Sequence, residues 1–125
     1  MSRILADTSV WISHFRSPDL RMTDVVAGNV LIMHPMVTGE LAMGNLHRRQ
    51  RLLHQMTEMD QAIGAADHEV LTFVERHALF GLGLGWTDAH LLVSTLLTPY
   101  CDLWTRDARL DAAASRFGRA ARFHH

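Results

Sequence analysis

Residues 4–12 read ILADTSVWI. Three apolar side chains run into Asp7, and two hydroxyls, Thr8 and Ser9, follow at once. A carboxylate at the end of a buried run costs free energy unless something binds it. RILA (3–6) has the length and composition of a short buried strand, and TSVWISHF (8–15) reads as a short helix, so Asp7 marks a strand-to-helix turn.

The alternation recurs along the chain. After Pro18 a second helix covers about 19–28, ended by Gly28 and Asn29. VLIMH (30–34) reads as a second strand, and Pro35 suits the first turn of a helix that runs to about Asn45. A charged helix spans about 47–60. IGAAD then breaks the pattern, with Asp67 as N-cap of a helix over 68–79 that carries Val70, Leu71, Val74 and Ala78 along one face. FGLGLGW (80–86) is a glycine-rich connection, and TDAHLLVSTLL (87–97) is the most apolar helix. CDLWT (101–105) reads as a third strand, DARLDAAASRFG (107–118) as a helix ending at Gly118, and AARFH (120–124) as a short last strand. Short apolar strands alternating with helices predict an α/β fold: a three-layer α/β/α sandwich around a short parallel sheet, Rossmann-like, in a single domain over 1–125. His124 and His125, either native or the remnant of a purification tag, are left out of the site.

Composition removes several function classes. A formal net charge of −1 gives no support to a dedicated duplex binder. No run of about 18 apolar residues offers a membrane span, and no signal-peptide layout opens the chain, so a cytoplasmic protein is expected. The single cysteine, Cys101, has no internal disulfide partner, which fits a reducing compartment. All twelve basic residues are arginine, which closes mechanisms that need a Schiff-base, P-loop or phosphate-sensing lysine. HRRQR (47–51) and Arg106, Arg109, Arg116, Arg119 and Arg122 read as solvated helix faces.

In an open parallel sheet, ligands bind beyond the carboxyl ends of the strands. Four acids fall there: Asp7 after the first strand, Glu40 early in the helix after VLIMH, Asp88 in the first turn after the glycine loop, and Asp107 after CDLWT. Val37, Leu41 and Gly44 place Glu40 on an apolar helix face, and Leu91, Leu92 and Thr95 do the same for Asp88. Each acid also has a structural explanation. Asp7 and Asp107 are positioned to cap helices, Asp88 to favour the positive end of its helix dipole, and Glu40 to pair with a buried arginine. All four at one sheet edge, with oxygen donors and no required cysteine or histidine, suit a hard divalent cation, Mg²⁺ or Mn²⁺.

LADTSVWI, VTGEL, GWTDAHLL and LWTRDARL occur in an order and spacing that resemble the PIN-domain ribonucleases, closest to the toxin half of VapBC-type toxin–antitoxin pairs. The resemblance runs nearly the length of the chain and is weakest over about 47–79. It implies a PIN-like α/β/α fold and an endoribonuclease whose Asp7, Glu40, Asp88 and Asp107 are catalytic and bind Mg²⁺ or Mn²⁺. It implies supporting roles for Thr8, Ser9 and Thr105, which match hydroxyl positions that orient such acids. Asp111, one helical turn past Asp107, is either a supporting acid or part of a solvated face. The resemblance also implies an RNA substrate such as a tRNA or rRNA loop, a homodimer, and a small VapB-type antitoxin whose arginine reaches the acids. Trp11 and Phe15, one turn apart on the first helix, are either core or an apolar groove for that partner.

Other phosphoryl-handling folds fit less well. A haloacid-dehalogenase-type phosphatase wants an acid where Ser9 stands, and a later lysine. A receiver domain also needs lysine, and GLGLG misses the dinucleotide glycine fingerprint at Trp86. The remaining alternative is a catalytically inactive α/β module that works by binding a protein. Nine histidines contain no H-x-x-x-H pair, so they are expected at the surface, with His34 at a strand end near enough to touch substrate.

Overall fold

Successive strand residues face opposite sides of a sheet, yet Ile4, Leu5 and Ala6 are all buried in the computed structural model. Both faces of that strand are therefore covered, as in parallel α/β folds. Residues 2–123 are described. In chain order the elements are β1 (Arg3–Ala6), α1 (Thr8–Arg16), α2 (Leu20–Ala27), β2 (Leu31–Ile32), α3 (Pro35–Ala42), α4 (Arg49–Glu58), α5 (Asp67–Arg76), α6 (Trp86–Leu97), β3 (Cys101–Trp104) and α7 (Ala108–Arg116).

The sheet is parallel with order β2-β1-β3. Leu5 aligns with Ile32 on one side and Leu103 on the other. Strand order therefore reverses at β1, whose carboxyl end carries Asp7; that is where an open α/β sheet forms its crevice. The core is built from these strands and α6, with Leu5, Ile32, Leu91, Leu92 and Leu103 fully buried.

Several elements differ from expectation. The second strand has only two ladder residues, and Met33 instead forms a single parallel bridge to Gln61. AARFH is not a strand: Ala120 makes one parallel bridge to Leu103, and His124 lies outside the described residues. Gly118 ends α7 in the left-handed region before a full ladder can form. At the end of α2 the left-handed residue is Asn29, while Gly28 keeps helical geometry. Ala66, not Asp67, caps α5; Asp67 is already helical, and its carboxylate accepts a 2.9 Å hydrogen bond from His90 Nε2 instead. On α5 Val70 and Val74 point inward, but Leu71 is exposed because it lies about 100° round the helix from Val70. Ala78 lies beyond the end of α5 and is exposed.

The histidine expectation fails at two positions. His34 and His90 are both 4% exposed. His34 points into the protein as the cap of α3, accepting from the Met36 N–H at 3.0 Å, and does not reach out toward substrate. Trp11 is core; Phe15, on the next turn, is 38% exposed.

Candidate active site

Asp7 closes β1 and opens α1. Its backbone N–H bonds to the Trp104 carbonyl at 2.9 Å, continuing the β1–β3 ladder by one residue. Asp7 is 5% exposed, and its carboxylate accepts three hydrogen bonds. The Val10 N–H (3.2 Å) and the Ser9 hydroxyl (2.5 Å) donate to Oδ1, and the Thr105 hydroxyl donates to Oδ2. Burial raises the pKa of Asp7, the three hydrogen bonds pull it back in part, and the negative charge of Asp88 raises it further. No arginine or histidine pairs with it among the described residues.

The two hydroxyls fasten a neighbouring turn to Asp7. Thr105 Oγ1 accepts the Asp107 N–H at 2.9 Å while donating to Asp7. Ser9 Oγ accepts the Arg106 N–H at 3.0 Å while donating to the other oxygen. Each hydroxyl is thus a donor to the carboxylate and an acceptor from backbone, a fixed direction at both ends. Asp107 then caps α7, with Oδ1 accepting from the Arg109 (2.8 Å) and Leu110 (3.2 Å) N–H groups.

The other two acids approach from separate helices. Glu40 Oε1 accepts the Thr8 hydroxyl at 2.5 Å, which ties α3 to the residue next to Asp7. Glu40 is exposed, a correction to its inward placement. Helical steps of about 100° put it on the flank of the Val37–Leu41 face rather than at its centre. Asp88 is half-buried, and its Oδ2 accepts the Gly85 N–H at 2.9 Å, which holds the glycine loop against the start of α6. Arg109 lies across that loop. Gly83 has φ +81°, a backbone conformation that favours glycine, and its open side lets the Arg109 side chain approach closely.

The structure thus links Asp7 to Asp107 through Thr105, to Glu40 through Thr8, and to Asp88 through its electrostatic field. Asp111 does not join them; its carboxylate grips Arg122 at 2.8 and 3.0 Å. Among the described residues no three His, Cys, Asp or Glu side chains are gathered closely enough to hold a metal ion as they stand. Both oxygens of Asp7, and one oxygen each of Glu40, Asp88 and Asp107, accept hydrogen bonds from the protein's own hydroxyl and N–H groups. The donor chemistry nevertheless fits a hard divalent cation. Four carboxylates with no ion-pair partner among the described residues, one of them deeply buried, are charge that a cation neutralises.

Sequence reasoning did not foresee the role of the Arg106 and Gly85 backbone N–H groups. Their only signal was adjacency to Asp107 and Asp88. Of the five C-terminal arginines read as solvated, three hold structure. Arg116 reaches the His77 carbonyl, Arg119 the Cys101 carbonyl, and Arg122 the Asp111 carboxylate.

No protein-family model matches the chain. Two relatives, both named Ribonuclease VapC32, from two strains of Mycobacterium tuberculosis, are each 42% identical to it over 117 residues. Those residues span 94% of this chain and 94% of each relative. Identity of that extent establishes membership: the chain belongs to the VapC-type PIN-domain ribonuclease toxins.

Proposed function

We propose that the chain is an endoribonuclease that hydrolyses a structured cellular RNA, such as a tRNA or rRNA loop, with Asp7, Glu40, Asp88 and Asp107 as its catalytic acids. The observation that carries this reading is Asp7, a buried carboxylate with no cation beside it among the described residues, at the switch point of the sheet. The four acids would hold one or two Mg²⁺ or Mn²⁺ ions. Such an ion acidifies water and offsets the negative charge that develops on the phosphoryl oxygens. Ser9 and Thr105 fix the plane of the Asp7 carboxylate, and Thr8 restrains Glu40. No side chain is needed as a dedicated base. His34, the nearest candidate by sequence, is buried in the hydrogen bonds of α3 and α6.

As a toxin, residues 1–125 act as one PIN-like domain in the cytoplasm, as a homodimer, under the control of a VapB-type antitoxin. A cavity of about 840 Å³ lined by Ile12, Phe15, Leu46 and Leu52 lies between α1 and α4 and can take an apolar segment of that partner. Ile12 is one helical turn beyond Thr8, so a chain seated there can bring an arginine toward the acids.

The decisive experiment incubates antitoxin-free protein with a panel of structured cellular RNAs in Mg²⁺, in Mn²⁺ and in EDTA. Cleavage in metal that EDTA abolishes is expected, and 5′-end sequencing identifies the substrate. No cleavage under any condition favours the protein-binding module.

A further inference from the structure

Beyond Asp107 the site opens into a cavity of about 410 Å³, within the range of pockets that hold small ligands. Trp104, Ala121 and Phe123 line it together with three arginines. Two of the three are already neutralised. Arg21 lies over the Trp104 ring at 5.3 Å and is held by Asp19 at 2.8 Å. Arg122 is held by both oxygens of Asp111. Arg106 is different: among the described residues its guanidinium has no carboxylate, carbonyl or ring partner, although Asp107 is its chain neighbour. Its backbone is fixed, because its N–H bonds to Ser9 Oγ, which bonds to Asp7. A free cation is therefore anchored two hydrogen bonds from the buried carboxylate, at the mouth of a cavity of nucleotide size.

We propose that Arg106 is a substrate-binding residue that takes a backbone phosphate of the RNA next to the cleaved one, with the adjoining nucleotide in the cavity beyond Asp107. The inference rests on the nuclease reading above and adds to it a direction. The strand leaves Asp7 past Asp107 toward α7, not toward the α1–α4 cavity. Its chemistry is ordinary: guanidinium matches phosphate in charge and in its fork of donors, and an unpaired arginine needs no existing bond broken to bind one.

The test is equilibrium binding of a short single-stranded oligoribonucleotide of mixed sequence. It is measured over a salt series in EDTA, so that the RNA stays whole, for wild type, Arg106→Ala and Arg106→Lys. Loss of one phosphate contact lowers the slope of log affinity against log salt by about 0.7, and weakens binding about 3- to 10-fold at low salt. Arg106→Lys should keep the slope. Wild-type slope in Arg106→Ala overturns the proposal, and so does Arg106→Lys behaving as Arg106→Ala, because charge is then not what was lost. The nuclease reading fails separately. Wild type that cleaves nothing in Mg²⁺ or Mn²⁺, with the slope difference intact, leaves an RNA-binding arginine on a chain that is not a nuclease. Cleavage with unchanged slope sinks Arg106 alone.

Discussion

Two buried polar centres, Asp7 and His34, are satisfied in opposite ways. Three donors converge on Asp7, yet among the described residues no cation pairs with its carboxylate. His34 accepts the Met36 N–H at Nδ1, so its hydrogen is on Nε2 and faces Ser94 Oγ at 3.0 Å. Burial, with a smaller push from His90, lowers its pKa to about 4. It is therefore neutral with both nitrogens used. A polar group buried without charge and fully bonded serves the fold. One buried with a charge that the protein leaves uncompensated lowers stability and needs a functional reason.

The largest expected effect separates the two centres by activity. Asp7→Asn keeps an acceptor for Val10 and Ser9 but loses the charge. RNA cleavage should fall on the order of 10³-fold, the scale of losing one well-placed electrostatic contributor. His34→Asn keeps the α3 cap through its own side-chain oxygen and should cleave at the wild-type rate per folded molecule. Single-turnover assays on matched folded fractions measure both. Equal losses would erase the distinction.

The next effect is in pH dependence, and here the two centres have opposite signs. The pKa of His34 is depressed in the fold, so the unfolded chain takes up the proton first as pH falls. Stability is full above about 6.5 and is lost between there and about 4, by up to roughly 3 kcal/mol. The pKa of Asp7 is raised, so the folded protein holds its proton more tightly. Its contribution favours the fold at low pH and is lost as pH rises from 3.8 through the raised value. Urea titrations across pH should show the His34→Asn variant losing the rise between about 4 and 6.5. Asp7→Asn should lose the opposing fall, which begins as pH rises through 3.8.

A smaller effect follows at neutral pH without metal. Asp7→Asn removes a buried charge and the repulsion from Asp88, so its melting point in EDTA should exceed that of wild type. About 1 kcal/mol, or roughly 2–6 °C at this size, is expected. Mg²⁺ at about a hundredfold excess over its dissociation constant should stabilise wild type by about 2.7 kcal/mol and the variant much less. A variant that melts below wild type in EDTA, with metal shifting both alike, would make Asp7 a structural cap.

The contrast also explains what the sequence could reveal. Asp7 was legible because a charge ending an apolar run is unusual locally, and β1, α6 and β3 were legible from predominantly apolar stretches. The Gln61 and Ala120 bridges were not, because a single bridged residue leaves no periodicity. His34 and His90 were misread for a related reason. A histidine's burial depends on partners 60 and 23 residues away, Ser94 and Asp67, and no local pattern announces them. Glu40 was placed by helical phase, which fixes a face only to within a residue's width, and it falls on the flank. The hydroxyls at Thr8, Ser9 and Thr105 were foreseen, but not that Ser9 and Thr105 would also anchor the backbone of the Arg106–Asp107 turn.

The smallest effect probes a polar contact intermediate between these extremes. His90 is buried, but its partner Asp67 is largely exposed, so the pair ties α5 to α6 across a wet boundary. Solvent screens most of the charge, and an exposed carboxylate contributes less than about 1 kcal/mol there. Asp67→Asn keeps an oxygen for the His90 N–H and should change stability by less than about 0.5 kcal/mol. Asp67→Ala leaves that buried donor without its partner, and about 1 kcal/mol of destabilisation is expected. Thermal melts of the two variants at neutral pH decide whether the hydrogen bond or the charge matters. A full loss already in Asp67→Asn would show that the α5–α6 contact depends on charge, and would move it closer in kind to Asp7 than to His34.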